Sequence, residues 1–158
     1  MSNRQADGLR LGTLGHADAH RTYLALKPIR IKPRHRAKLT EGSVLEHLDP
    51  LQLRIVRDGH VLARARLGRV GEREAIHVVS TDPEPYYIPD PAPRHPVLEV
   101  RLRIVGEGEH YGVGEVIEYD RPLSREMLVL IDGEPVAVAE IVECDHEPVV
   151  RITRMLDG

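Results

Sequence analysis

The chain has 158 residues, 41% of them hydrophobic and 30% charged, with a formal net charge of −3. That length holds one domain or two small ones, and a folded chain of this size buries roughly 68–70% of its unfolded surface, which argues against an intrinsically disordered protein. No stretch approaches the roughly 18 apolar residues that span a bilayer, the start Met1-Ser2-Asn3-Arg4-Gln5 is unlike a signal peptide, and the single Cys144 excludes an internal disulfide or a multi-cysteine metal site. A soluble protein of a reducing cytoplasm is expected. With five Tyr and no Trp or Phe, the core must be built from Val, Leu, Ile and Ala, and aromatic platforms for stacking bases are scarce. Charge is unevenly spread: residues 1–80 hold 15 Lys/Arg against 8 Asp/Glu (+7), and residues 81–158 hold 7 against 17 (−10). Such a split suggests two faces that attract each other, or one half that recruits an oppositely charged partner.

In chain order, residues 1–20 are polar and Gly/His-rich without periodicity and read as a flexible tail. Arg30, Lys32, Arg34, Arg36 and Lys38 fall at even-numbered positions, one face of a strand if the strand persists through Pro33. Leu51, Leu53 and Ile55 alternate with Gln52 and Arg54, and Val61, Ala63, Ala65 and Leu67 alternate after Asp58-Gly59. An Asp-Gly pair between alternating runs predicts a hairpin on a type I′ turn. Residues 81–96 hold six prolines, which supply no backbone donors, so they read as a semi-rigid linker between a basic module at 21–80 and an acidic one at 97–156. The second module repeats the hairpin: Met127–Ile131, Asp132-Gly133, Val136–Val142.

The repetition is ordered. Asp58-Gly59 and Asp132-Gly133 lie 74 residues apart, Gly42-Ser43-Val44-Leu45-Glu46 and Gly114-Glu115-Val116-Ile117-Glu118 lie 72 apart, and Ile29-Arg30-Ile31 and Leu102-Arg103-Ile104 lie 73 apart. Val61–Leu67 matches 135–141 at about 74, with Arg66 standing where the other copy has Glu140. A module of some 60 mostly β residues is marginal alone and leaves sheet edges open. Two copies can close each other's edges and share one core, with opposite charges favouring the one-to-two pairing.

Each copy resembles the surface-presentation-of-antigens (SpoA) domain that ends the flagellar motor switch proteins FliM and FliN and their type III secretion counterparts. The second copy carries Gly114–Asp120, Ile131-Asp132-Gly133, Val136–Val142 and Val150-Arg151-Ile152-Thr153. The first carries Leu39–Leu45, Asp58-Gly59, Leu62-Ala63-Arg64-Ala65 and a degenerate last landmark, Ala75-Ile76-His77-Val78. Two copies in tandem are most similar to the cytoplasmic ring, or sorting-platform, proteins of type III secretion (the SctQ/HrcQ/YscQ family). The resemblance implies a mainly β fold of two duplicated SpoA-like modules in an intertwined intramolecular pseudo-dimer. It also implies a non-enzymatic structural role, cytoplasmic and reaching the inner membrane only through the secretion apparatus. The implied partners are the stator protein of the export ATPase (SctL/FliH-like), other ring or platform subunits and self. A flagellar switch component is the neighbouring reading. The family's helix between first strand and glycine motif is expected to be trimmed here.

The expected inter-module core is Val44, Leu45, Leu53, Ile55, Val116, Ile117, Leu128, Leu130 and Ile152. No catalytic, cofactor or metal site is expected. Gly106-Glu107-Gly108-Glu109-His110-Tyr111-Gly112 lacks a Walker lysine and the glycine spacing of a phosphate loop. Cys144-Asp145-His146 reads as a turn rather than a ligand set. Ser43, Ser80 and Ser124 have no nucleophile context. Arg30 and Arg34 match only half of a cyclic di-GMP motif. The basic run 30–38 is therefore the candidate charged face, for an acidic protein, for the acidic copy or, as a different class of function, for nucleic acid or anionic lipid.

Overall fold

The computed structural model describes residues 22–86, 95–106 and 111–156. The expected tail 1–20, residues 87–94 of the proline run and 107–110 of the glycine–glutamate loop lie outside them. Asp58 and Gly59 have φ of 51° and 77°, and Asp132 and Gly133 have 49° and 83°. Positive φ at both central positions is the type I′ turn, whose twist matches that of the strands it joins. It connects β4 (Gln52–Arg57) to β5 (His60–Val70), and β10 (Met127–Ile131) to β11 (Glu134–Cys144). Each hairpin also carries irregularities at matching places, between Ile55/Val56 and Val129/Leu130, and at Arg64/Ala65 and Val138/Ala139. A Cβ built on Gly133 meets nothing within 4 Å, so Gly133→Ala is strained through its backbone alone. It is expected to cost about 1–2 kcal/mol, read as a lower urea midpoint at unchanged m-value.

A third strand follows each hairpin: β6 (Arg73–Ser80) after β5, and β12 (Glu147–Met155) after β11. Asp145 and His146, with φ of 51° and 66°, form the second of these turns, so the Cys144-Asp145-His146 run caps a hairpin. The remaining strands are β1 (Thr22–Leu26), β2 (Ile29–Arg30), β3 (Val44–Leu45), β7 (Glu84–Pro85), β8 (Val97–Gly106) and β9 (Val116–Glu118). One antiparallel sheet runs β3-β12-β11-β10-β8-β1-β4-β5-β6-β9, with β2 against β8 and β7 against β5. Exchange each strand for its counterpart in the other half (β1 for β8, β3 for β9, β4 for β10, β5 for β11, β6 for β12) and the order reads the same from the other end.

One face carries a single apolar cluster that includes Leu45 of β3, Ile152 of β12, Met127, Val129 and Ile131 of β10, Leu24 and Leu26 of β1, Leu53 and Ile55 of β4, Ile76 and Val78 of β6, and Ile117 of β9. Both ends of the sheet contribute to it, and both halves of the chain. At the start of the proline run the chain is structured rather than a free spacer: Glu84 and Pro85 pair with Val61 and His60, and Tyr86 is buried in a second cluster with Tyr23, Ala25, Val56 and Val61 on the opposite face.

The basic run does not continue a strand. β2 ends at Arg30, and Pro33–Ala37 form a single helical turn, α1. Proline suits the first position of a helix because its missing N–H would be unpaired there. α1 is five residues long and is the one helix among the described residues. Arg34 and Arg36, two apart, diverge by roughly 200° on a helix, so the even-numbered cations do not share one strand face.

Candidate functional site

The sheet's two ends are built by exchange. Gly42 N–H donates to the Ile152 carbonyl at 2.8 Å and Ile152 N–H to that of Ser43 at 2.8 Å, which seats β3 on β12. At the other end Gly114 N–H donates to the Val78 carbonyl at 2.8 Å and Val78 N–H to that of Glu115 at 2.9 Å, which seats β9 on β6. Gly42 and Gly114 have φ of 90° and 91°, a conformation that glycine adopts at little cost. The motif Gly-x-Val-apolar therefore bends the chain and hands two or three residues to the other half. Ile76 and Val78 of β6, and Val150 and Ile152 of β12, are among the residues that receive these strands.

A strand exposes alternate residues, so only one of each adjacent pair in the expected core turns inward. Leu45 and Ile117 are buried, whereas Val44 and Val116 are 42% and 51% exposed. This corrects the assignment of both pairs to the core. Leu53, Ile55 and Ile152 lie in the main cluster. Leu128 and Leu130 are fully buried but sit on the other face: their cross-strand partners are Arg101 and Glu99, and Met127, Val129 and Ile131 face the main cluster. Val116 pairs with His77, which puts it on the same outer surface as Val79. These two and Val113, next to the glycine that bonds Val78, give the β9 end an exposed apolar character.

Glu74 of β6 ties the second half to the first. Its Oε1 accepts the N–H of Leu123 at 2.6 Å and of Ser124 at 2.9 Å, and its Oε2 accepts the Ser124 hydroxyl at 2.6 Å. Its backbone carbonyl accepts Tyr119 N–H at 3.0 Å. Glu74→Ala strips three donors of their acceptor and is expected to cost about 1–3 kcal/mol. Faster hydrogen exchange at Leu123 and Ser124 would mark the loss.

On the opposite face, at the β1–β8 seam, lies a buried polar group. Arg101 Nε and Nη2 each donate to Glu99 at 3.2 Å, a two-pronged pair in which both side chains are buried. The Tyr23 ring lies under the guanidinium, 4.4 Å from its centroid, and meets Tyr86 edge to face. The Tyr86 hydroxyl lies 3.1 Å from Glu99 Oε2 and 3.3 Å from the Leu26 carbonyl. Burial works against the Arg101 charge, but Glu99 more than offsets it and holds the guanidinium above its usual range. Burial first, and then the Glu99 charge, push the Tyr86 phenol well above its usual range. A phenol that ionises more readily unfolded than folded removes stability as pH rises. The melting temperature is therefore expected to fall from about pH 10 upward, and Tyr86→Phe to flatten that decline. Glu84 fastens the same segment: it pairs with Arg64 through two contacts and with Arg54 at 3.5 Å, and the Arg64 hydrogen bond holds its carboxyl below the usual range.

Of the basic residues, Arg30 is half-buried and donates to the His95 carbonyl at 2.6 Å. Lys32, Arg34, Arg36 and Lys38 are exposed. Among the described residues no three His, Cys, Asp or Glu side chains gather as a metal site, and no helix is long and apolar enough to cross a membrane.

Residues 105–157 match the family described as type III flagellar switch regulator (C-ring) FliN C-term. No curated protein matches the chain. The match covers about a third of the chain, and over it the sequence is similar to the SpoA-like C-terminal domain of FliN. It contains β9 to β12, yet its own β9 is paired with β6, outside the match. The FliN-like segment thus completes its sheet only with the residues that precede it. The Glu99–Arg101–Tyr86 group has little signature in the sequence, since Glu99 and Arg101 alternate with Leu98, Val100 and Leu102 as the polar face of a half-exposed strand does. The one available signal was their opposite charge two residues apart.

Proposed function

We propose that the chain is a non-enzymatic ring component of a type III export apparatus, built as an intramolecular pseudo-dimer of two SpoA-like modules at 21–80 and 97–156. The observation that carries this reading is the reciprocal exchange of β3 and β9 around a FliN-like segment, since a strand order that reads the same from either end is what a duplicated, intertwined module produces. The tandem arrangement favours the cytoplasmic ring of a secretion system. The family match at residues 105–157 favours the flagellar switch ring. In either, the protein works in the cytoplasm, presents a rigid surface and binds other ring subunits, further copies of itself and the stator protein of the export ATPase. The exposed valines at the β9 end offer the apolar part of such a contact.

Purification of the tagged chain from its native bacterium at near-physiological salt tests the proposal. Co-purifying ring subunits, stator or export ATPase support it and tell secretion from flagellar membership. Nucleic acid alone, lost as salt is raised, overturns it.

A further inference from the structure

The exposed cations of the first crossover remain unexplained by the fold. α1 buries no residue, its N-cap Lys32 makes no side-chain cap, and its first turn holds no acid. Arg34 and Lys38 are four apart, a like-charge spacing that works against a helix. Among the described residues, none of Lys32, Arg34, Arg36 and Lys38 forms an ion pair. The turn is anchored from its flanks, where Ile29, Ile31 and Leu39 pack on the main cluster. The fold therefore holds a cationic knob in place without using its charge.

We propose that this knob, Lys32 to Lys38, is a docking surface for an acidic segment of a partner protein. Its size and surroundings point to that class. Five helical residues span only about 7.5 Å, too short to track a nucleic-acid backbone that carries a charge every 1.7 Å or so of duplex. No Phe, Tyr or Trp lies in the run for a base to stack on. Beyond it, exposed Glu41, Glu46 and Asp49 would meet any extended polyanion or anionic membrane plane, and the run has no large exposed apolar side chain to insert into lipid. A short acidic peptide matches the positive patch and ends before the acids. This inference stands independently of ring membership.

The test uses the full chain and a fluorescein-labelled oligoglutamate peptide, read by fluorescence anisotropy at low and near-physiological salt. Neutralising the knob (K32Q/R34Q/R36Q/K38Q) is expected to weaken binding by about tenfold or more with an unchanged melting temperature, because α1 buries nothing. R66Q/R69Q, which removes exposed cations of β5, is expected to leave binding as it was. Equal binding by the knob variant and the native chain overturns the proposal. Tighter binding of a short DNA duplex or of phosphatidylserine vesicles at the same salt overturns the assignment to an acidic protein.

Discussion

Arg101→Met is expected to lower stability by roughly 3–5 kcal/mol, a large fraction of what a domain of this size possesses. The side chain that leaves takes two guanidinium donors from Glu99, whose buried carboxylate, 2% exposed in the native chain, keeps the Tyr86 hydroxyl. It also takes the cation from above the Tyr23 ring. Urea titration would read the loss as a shifted midpoint. The companion variant Glu99→Leu/Arg101→Met separates two meanings of the pair. Replacing both charges by apolar side chains is often neutral or better, because the desolvation of each ion disappears with it. The Tyr86 hydroxyl would keep the Leu26 carbonyl, 3.3 Å away, as acceptor. Recovery of most of the stability in the double variant is expected. A single variant as stable as the native chain would show that Glu99 reaches solvent after all.

Leu53→Asp should do more damage still. Leu53 is 1% exposed, opposite Leu26 on β1 and Ala65 on β5, inside the cluster that takes residues from both halves. Truncating such a side chain costs about 2–5 kcal/mol, and a carboxyl in its place adds desolvation on top. Because the cluster is common to both halves, unfolding is expected to be one event, with hydrogen-exchange protection lost in β10–β12 as well as in β4. Val44→Asp is the contrast. Val44 belonged to the same expected core but points to solvent, and its substitution should stay within about 0.5 kcal/mol. A soluble Leu53→Asp protein with an unchanged melting temperature would mean that β4 faces the other way.

What could be read from the chain divides by physical cause. The turns were legible because Asp58-Gly59 and Asp132-Gly133 satisfy a backbone requirement that few dipeptides meet. The register of β4 was legible because Leu53 and Ile55 alternate with Gln52 and Arg54. β10 offered no such phase: Met127-Leu128-Val129-Leu130-Ile131 is apolar throughout and buried on both faces, so Leu128 and Leu130 were placed on the wrong side. The basic run misled for another reason. Pro33 was weighed as an interruption of a strand, whereas it is also a good first residue for a helix, and one turn of helix is too short to show a period of 3.6. Glu99 and Arg101 were hidden because a strand pattern reports polarity and not what lies above it. Tyr86 carried a weak signal, an aromatic within a proline run in a chain with only five tyrosines.

The exchanged strands also set an order of events during synthesis. β3 is made early, yet its partner strand β12 begins only at Glu147, about a hundred residues later, and β6 waits for Val116–Glu118. Until those residues leave the ribosome, the nascent first half presents the bare edge of β6 with nothing to cover it. Such distant pairings are slow to form, and open edges are where growing chains stick to one another. That half carries a net charge of +7, with Arg64, Arg66, Arg69 and Arg73 among its cations, and like charges repel between neighbouring copies until the acidic half closes the sheet. The charge asymmetry of the finished protein would then be, in part, a provision for its own translation.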